Sequence, residues 1–278
     1  MIIGIHGIRC YRYLARAGSA EGAARALAAE WGAALGAGYD GVSYEQGGLD
    51  AAYYAHLLHL GTAQGAAAED PELLGATGQR MLADWAAELG APDEVLMGRA
   101  GLPVRQIAEW IARRHGDLAR RVVVLFCREA DTYLGDPASQ RRAGVRDELS
   151  GVLERRRPRV LIAHSLGSVV AYETLWHRPV ELDVLITLGS PLGLPGAIRD
   201  RLSMGPGNEE RIGQRPPGVR RWVNIADIGD VVAIPRDLPA SFPGIDAHHE
   251  VSLGAVASHK ATRYLAVPEV AAELARLR

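Results

Sequence analysis

The sequence predicts an α/β protein built on a mostly parallel sheet with helices on both faces, and three observations carry that expectation. The strand candidates are short, continuously apolar runs rather than alternating ones, as expected of strands buried on both sides. Segments of helical periodicity separate them. With 278 residues, 48% of them hydrophobic and 23% charged, the chain is long enough and apolar enough for one large core.

Taken in order, Ile2 to His6 is β-branched, is followed at once by Gly7, and reads as a buried opening strand. Ser19 to Leu35 is rich in Ala, Leu, Arg and Glu and closes on Gly36, a helix with both end signals. Gly41 to Glu45 (GVSYE) reads as a second short strand. Asp50 precedes AAYYAHLLHL, where Tyr54, Leu57 and Leu58 recur at helical spacing. A glycine- and alanine-rich stretch then holds helical pieces near Leu73 to Leu89 and Val104 to Arg114.

The apolar run Arg121 to Cys127 (RVVVLFC) would suit a strand, but no turn signal follows it. Its continuation puts Leu118, Val122, Phe126, Glu129 and Tyr133 at approximate helical spacing, so it is read as helix. Asp136-Pro137 opens another helix running to about Arg157, before Pro158. From Arg159 the pattern is cleaner: strand VLIA, helix SLGSVVAYETLW, then strands DVLITLGS, RWVNIAD and HEVSL. A single domain spanning 1–278 is expected, with residues 61–147 as a helical insertion or cap.

Composition excludes several function classes. A formal charge of −2 gives no field that would draw the chain to nucleic acid or an anionic membrane. Lys260 is the single lysine among 31 basic side chains, so arginine is simply the default cation. The run Arg155, Arg156, Arg157 and Arg159 accordingly reads as the solvated end of a helix. Two cysteines, Cys10 and Cys127, supply neither a disulfide framework nor a zinc spacing. No stretch reaches the roughly 20 apolar residues of a membrane span. MIIGIHGIR has neither the apolar core nor the cleavage site of a signal peptide. A cytoplasmic, soluble protein without cofactor or metal is expected.

Chemistry concentrates in Ala163-His164-Ser165-Leu166-Gly167-Ser168. A buried strand runs straight into this turn and an apolar helix runs out of it, the context of a nucleophile elbow. Strand and helix can approach only if the residues two before and two after the serine are small, as Ala163 and Gly167 are. Helix N-terminal N–H groups beside Ser165 would stabilise developing negative charge. A serine in this position could instead serve only as a helix N-cap.

These residues resemble the Gly-x-Ser-x-Gly elbow of the α/β-hydrolase superfamily, in the lipase-like and serine-esterase-like variant with Ala in first place. Thr187-Leu188-Gly189-Ser190-Pro191-Leu192-Gly193 resembles the Gly-Ser/Thr-Pro segment of such enzymes, and RWVNIADIGDVVAIP resembles the segment that carries their acid. The resemblance implies an α/β-hydrolase fold and a Ser, Asp, His order. Ser165 would be the nucleophile, Asp230 the acid with Asp227 as its rival, and His259, between the last strand and a helix, the base. His6-Gly7-Ile8 resembles an oxyanion loop, with the N–H groups of Ile8 and Leu166 as donors. Leu192, Leu194 and Ile234 are candidates for the substrate pocket by position. His248, His249 and Glu250 do not suggest a metal pair, because adjacent strand residues face opposite ways.

The implied reaction is acyl transfer from a small-molecule ester or related acyl substrate to Ser165 and then to water. Thioester or peptide hydrolysis, acyl transfer and cyclisation use the same groups. A ligand-binding or interaction module on a hydrolase scaffold is the reading from another class.

Overall fold

The computed structural model describes residues 1–37, 48–59, 68–97, 103–254 and 259–277. The first half runs β1 (Ile2–Ile5), α1 (Tyr11–Ala17), α2 (Ala20–Ala37), β2 (Leu49–Ala52), α3 (Ala55–Leu58), α4 (Ala76–Glu88), α5 (Asp93–Leu96), α6 (Val104–His115), α7 (Asp117–Leu134) and α8 (Gln140–Arg156). The second half runs β3 (Val160–His164), α9 (Leu166–His177), β4 (Leu182–Leu188), β5 (Val219–Asp227), α10 (Leu238–Ser241), β6 (Ala247–Val251), α11 (Ala261–Leu265) and α12 (Pro268–Ala275). The six strands form one sheet in the order β2-β1-β3-β4-β5-β6, and every neighbouring pair is parallel.

Parallel strands need crossovers that cover both faces of the sheet, and the core divides accordingly. On one face Ile3, Ile5, Leu161, Leu185 and Trp222 pack against α4 and α6 to α9. On the other, Ile2, Val160, Ile162, Ile186 and Ile225 meet Leu27, Trp31 and Leu35 of α2 and Tyr264 and Val270 from the C-terminal helices. The helical region α4 to α8 is tied to α9 by a buried ion pair. Arg142 of α8 makes two hydrogen bonds to Glu173 of α9, one of 3.1 Å from Nε and a shorter one from Nη2. Glu173 also accepts 2.7 Å bonds from the Tyr133 hydroxyl of α7 and the Ser203 N–H. A buried carboxylate with this many donors is fully compensated.

Two expectations change. The GVSYE strand at 41–45 lies outside the described residues, and the second strand described is β2, taken from the segment read as the start of a helix. Pairing decides this: Leu49 to Ala52 stand opposite Ile2 to Ile5 of β1, leaving only Ala55–Leu58 helical. Tertiary pairing overrides local periodicity here. The Arg121–Cys127 run is helical, within α7. Of the expected stripe Phe126 and Tyr133 are buried and Leu118 is 53% exposed, and the buried face also takes in Val123, Cys127 and Ala130.

The strand order positions the site. From β1 the chain turns into α1 and α2 on one face, whereas from β3 it turns into α9 on the other. Between the carboxyl ends of these neighbouring strands the backbones diverge, and such a switch point is where open α/β sheets have room for a ligand. No described helix is long and apolar enough to cross a membrane.

Candidate active site

The register aligns the two loops at this crevice. Ile5 stands opposite Ala163, so the His6-Gly7-Ile8 turn leaves β1 beside the His164-Ser165-Leu166 turn that leaves β3. Contact is close enough that only glycine fits at two positions. A Cβ on Gly7 would lie 2.4 Å from Ser165 Cβ, and one on Gly167 would lie 2.4 Å from the His6 carbonyl oxygen and 2.6 Å from that of Ile5. Ser165 has φ 57° and ψ −129°, a strained backbone for a residue with a Cβ. Its N–H donates to the Leu188 carbonyl at 3.0 Å, and its side chain makes no cap bond to α9. The N-cap role is therefore not what holds this serine.

Ser165 Oγ instead lies 2.7 Å from His259 Nε2, and His259 Nδ1 lies 2.7 Å from Asp230 Oδ2. An ionised carboxylate only accepts, so in the neutral ring Nδ1 carries the hydrogen and Nε2 accepts from the serine hydroxyl. Each residue comes from a different strand end: Ser165 directly after β3, Asp230 three residues past β5, and His259 beyond β6, just before α11. Asp230 is buried and also accepts from the Val232 N–H at 2.9 Å and from the Tyr264 hydroxyl at 2.7 Å. A serine hydroxyl, an imidazole and a buried carboxylate in this chain can move the serine proton to the ring as Oγ attacks an electrophile.

Of the residues singled out from sequence, Ser165, His259 and Asp230 are brought together. Asp227 is not in this group: its Oδ1 accepts from the Leu253 N–H at 2.8 Å. Leu166 follows Ser165 in the chain and Ile8 follows Gly7, whose Cα lies against Ser165, and neither backbone N–H has a hydrogen-bond partner among the described residues. Leu192, Leu194 and Ile234 are buried in the apolar core that also holds Ile8 and Leu166. His248 Nδ1 contacts the Asn224 amide at 3.0 Å, and among the described residues no three His, Cys, Asp or Glu side chains gather as a metal site would need.

The sequence marks neither Tyr264 nor a role for Glu129, and it names His6 in the loop without showing how the ring is held. Tyr264 of α11 accepts from the Asp227 N–H at 3.0 Å and donates to Asp230; nothing in SHKATRYL marks it. His6 is fully buried, its Nδ1 bonded to the Gly7 carbonyl at 2.7 Å and its Nε2 accepting from the Tyr54 N–H at 3.1 Å. Glu129 accepts from the Arg9 N–H at 2.7 Å, and its place among apolar positions of α7 was a visible signal. Replacing Tyr264 with Phe removes a donor from a buried carboxylate and an acceptor from a buried N–H. It should lower stability by about 1.5–3 kcal/mol, read by urea unfolding, and an unchanged midpoint would contradict these bonds.

Burial drives the pKa of His6 down to about 4, against the opposing pull of its Gly7 bond. Burial, reinforced by the neighbouring rings of His259 and His6, holds His164 well below the usual 6.5. Both are neutral in the fold and gain a proton on unfolding. Their stabilisation is complete above about pH 6.5 and is lost as pH falls toward 4, with His6 alone accounting for roughly 3 kcal/mol. Glu129, raised by burial to about 7, acts in the opposite sense, regaining stability between 7 and its unfolded value. Urea unfolding of a Glu129→Gln variant from about pH 7 to about pH 5 should therefore show a steady loss of stability. A flat profile would mean that the histidines are not buried neutral.

No family model, curated protein or solved structure matches this chain. Its sequence and geometry carry the functional reading by themselves.

Proposed function

We propose that this chain is a serine hydrolase of the α/β-hydrolase superfamily, lipase-like or esterase-like, that cleaves an ester or related acyl bond through an acyl-enzyme on Ser165. The observation that carries this reading is the pair of 2.7 Å contacts that place His259 between Ser165 Oγ and Asp230, joined to the strained backbone of Ser165. A binding module has no need of a serine in a costly conformation aimed at an imidazole, whereas a nucleophile does.

In this mechanism Ser165 Oγ bonds to the substrate carbonyl carbon as His259 Nε2 takes its proton. Asp230, held by Tyr264 and the Val232 N–H, orients the ring and balances the imidazolium. The carbonyl oxygen becomes an oxyanion between the Ile8 and Leu166 N–H groups, helped by the N-terminal dipole of α9. His259 then returns the proton to the leaving group, and water releases the acyl group by the reverse sequence. Ser165 has no exposed surface, so a substrate must part the side chains above it. Leu192, Leu194 and Ile234 are the proposed apolar wall on that path.

Labelling by a fluorophosphonate, located by mass spectrometry, tests the assignment. The expected result is one adduct on Ser165 that is absent from Ser165→Ala. Labelling that survives the substitution, or a folded parent that never labels, would overturn the assignment. A panel of p-nitrophenyl esters of increasing chain length, with thioesters and amides beside them, then ranks the acyl bond cleaved.

A further inference from the structure

We infer that Glu129 of α7 is a positioning residue for the oxyanion loop, acting on it through the Arg9 N–H. The inference rests on the hydrolase reading above for its kinetic consequence and on geometry alone for its structural part.

The loop that follows β1 is held one backbone group at a time. The His6 carbonyl accepts from the Tyr54 hydroxyl at 2.7 Å, the Gly7 carbonyl is bonded by the His6 ring at 2.7 Å, and the Cys10 carbonyl accepts from the Tyr53 hydroxyl at 3.0 Å. These partners come from the loop itself or from the Tyr53-Tyr54 pair beyond β2. The Arg9 N–H is different, because its acceptor is the Glu129 carboxylate, 120 residues away. Arg9 also has φ 65°, a left-handed conformation that costs a residue with a Cβ roughly 1–2 kcal/mol. A 2.7 Å bond to a carboxylate is among the stronger hydrogen bonds and offsets that cost.

The direction of the Arg9 N–H sets the Ile8–Arg9 peptide plane. The Gly7 carbonyl, held by the His6 ring, fixes the Gly7–Ile8 plane on the other side of Ile8, whose N–H has no hydrogen-bond partner among the described residues. The thiol of Cys10 and the hydroxyls of Tyr53 and Tyr54, each bonded to a carbonyl of this loop, lie near enough to feel the charge of Glu129, and burial raises the pKa of all three. They are therefore uncharged neighbours, and the guanidinium of Arg9 is the opposite charge beside the carboxylate. What the loop requires from Glu129 is an acceptor at a fixed distance, and a neutral amide oxygen supplies that as well.

Three variants of the full chain test this: Glu129→Gln keeps the acceptor, Glu129→Asp withdraws it by one methylene, and Glu129→Leu removes it. With a p-nitrophenyl ester, the Leu variant should lose about 10–100-fold in kcat and in fluorophosphonate labelling rate with KM within about threefold. The Asp variant should fall between, and the Gln variant should stay within about threefold of the parent. A purely structural role would lower the unfolding midpoint without this split. Amide hydrogen exchange gives a readout independent of activity, with the Arg9 N–H exchanging at least about tenfold faster in the Leu or Asp variant and not in the Gln variant. A folded Leu or Asp variant with parental kcat, a Gln variant as slow as Leu, or unchanged Arg9 exchange would overturn the inference. A parent that never labels, combined with the expected exchange pattern, would defeat the hydrolase reading and leave the positioning contact standing.

Discussion

Ser165→Ala should lose turnover by about 10⁵-fold or more and still fold, because removal of the proposed nucleophile leaves only the binding and electrostatic parts of such a site. The substitution deletes one oxygen whose partner is the imidazole of His259. Ser165 itself holds the turn through its backbone: its N–H donates to Leu188, and its carbonyl accepts from the Ser168 N–H and hydroxyl at 2.9 and 2.6 Å. Circular dichroism and the unfolding midpoint should therefore stay close to the parent's. The strain at φ 57° comes from the Cβ, which Ala retains and Gly does not. Ser165→Gly should be equally inactive and more stable than Ser165→Ala by about 1 kcal/mol. If the two variants unfold at the same midpoint, the backbone at this turn is not strained.

Gly167→Ala should lower stability by about 3 kcal/mol or more. The added Cβ would sit 2.4 and 2.6 Å from two backbone carbonyl oxygens of the β1 end, and backbone in the middle of a parallel sheet has no rotamer by which to retreat. Relief requires α9 to lift away from β1. That movement opens the contact between the Ser165 turn and the His6-Gly7-Ile8 turn, so hydrolysis should fall together with the urea midpoint. A variant with parental stability would mean that the Gly167 Cα does not lie so close to the His6 carbonyl that a Cβ must clash with it.

Much of the site was legible in the sequence because its chemistry is written in local patterns. A buried strand, His-Ser-Leu-Gly and an apolar helix specify a tight turn through the sizes of Ala163 and Gly167. Ser165, Asp230 and His259 each follow a strand of one parallel sheet, so all three stand at its carboxyl end. Asp227 and Asp230 were both open from sequence; geometry separates them, since Asp227 receives the Leu253 N–H while Asp230 faces His259. Tyr264 stayed hidden because its two bonds depend on how α11 packs against the β5 loop, which no local spacing encodes.

The sequence by itself determined that apolar strands alternate with helices, that residues around 104–156 are helical, and that Ser165 stands at a strand-to-helix turn. Those features follow from periodicity and residue size, which act over a few neighbours. Only the tertiary structure decided that Leu49–Ala52 is a strand, that α7 buries Val123 and Cys127 rather than Leu118, and that the Arg9 N–H meets Glu129. Those outcomes are set by pairing and packing between segments dozens of residues apart. The free energy gained there, from ladder hydrogen bonds and buried area, exceeds the small local preferences a sequence reveals.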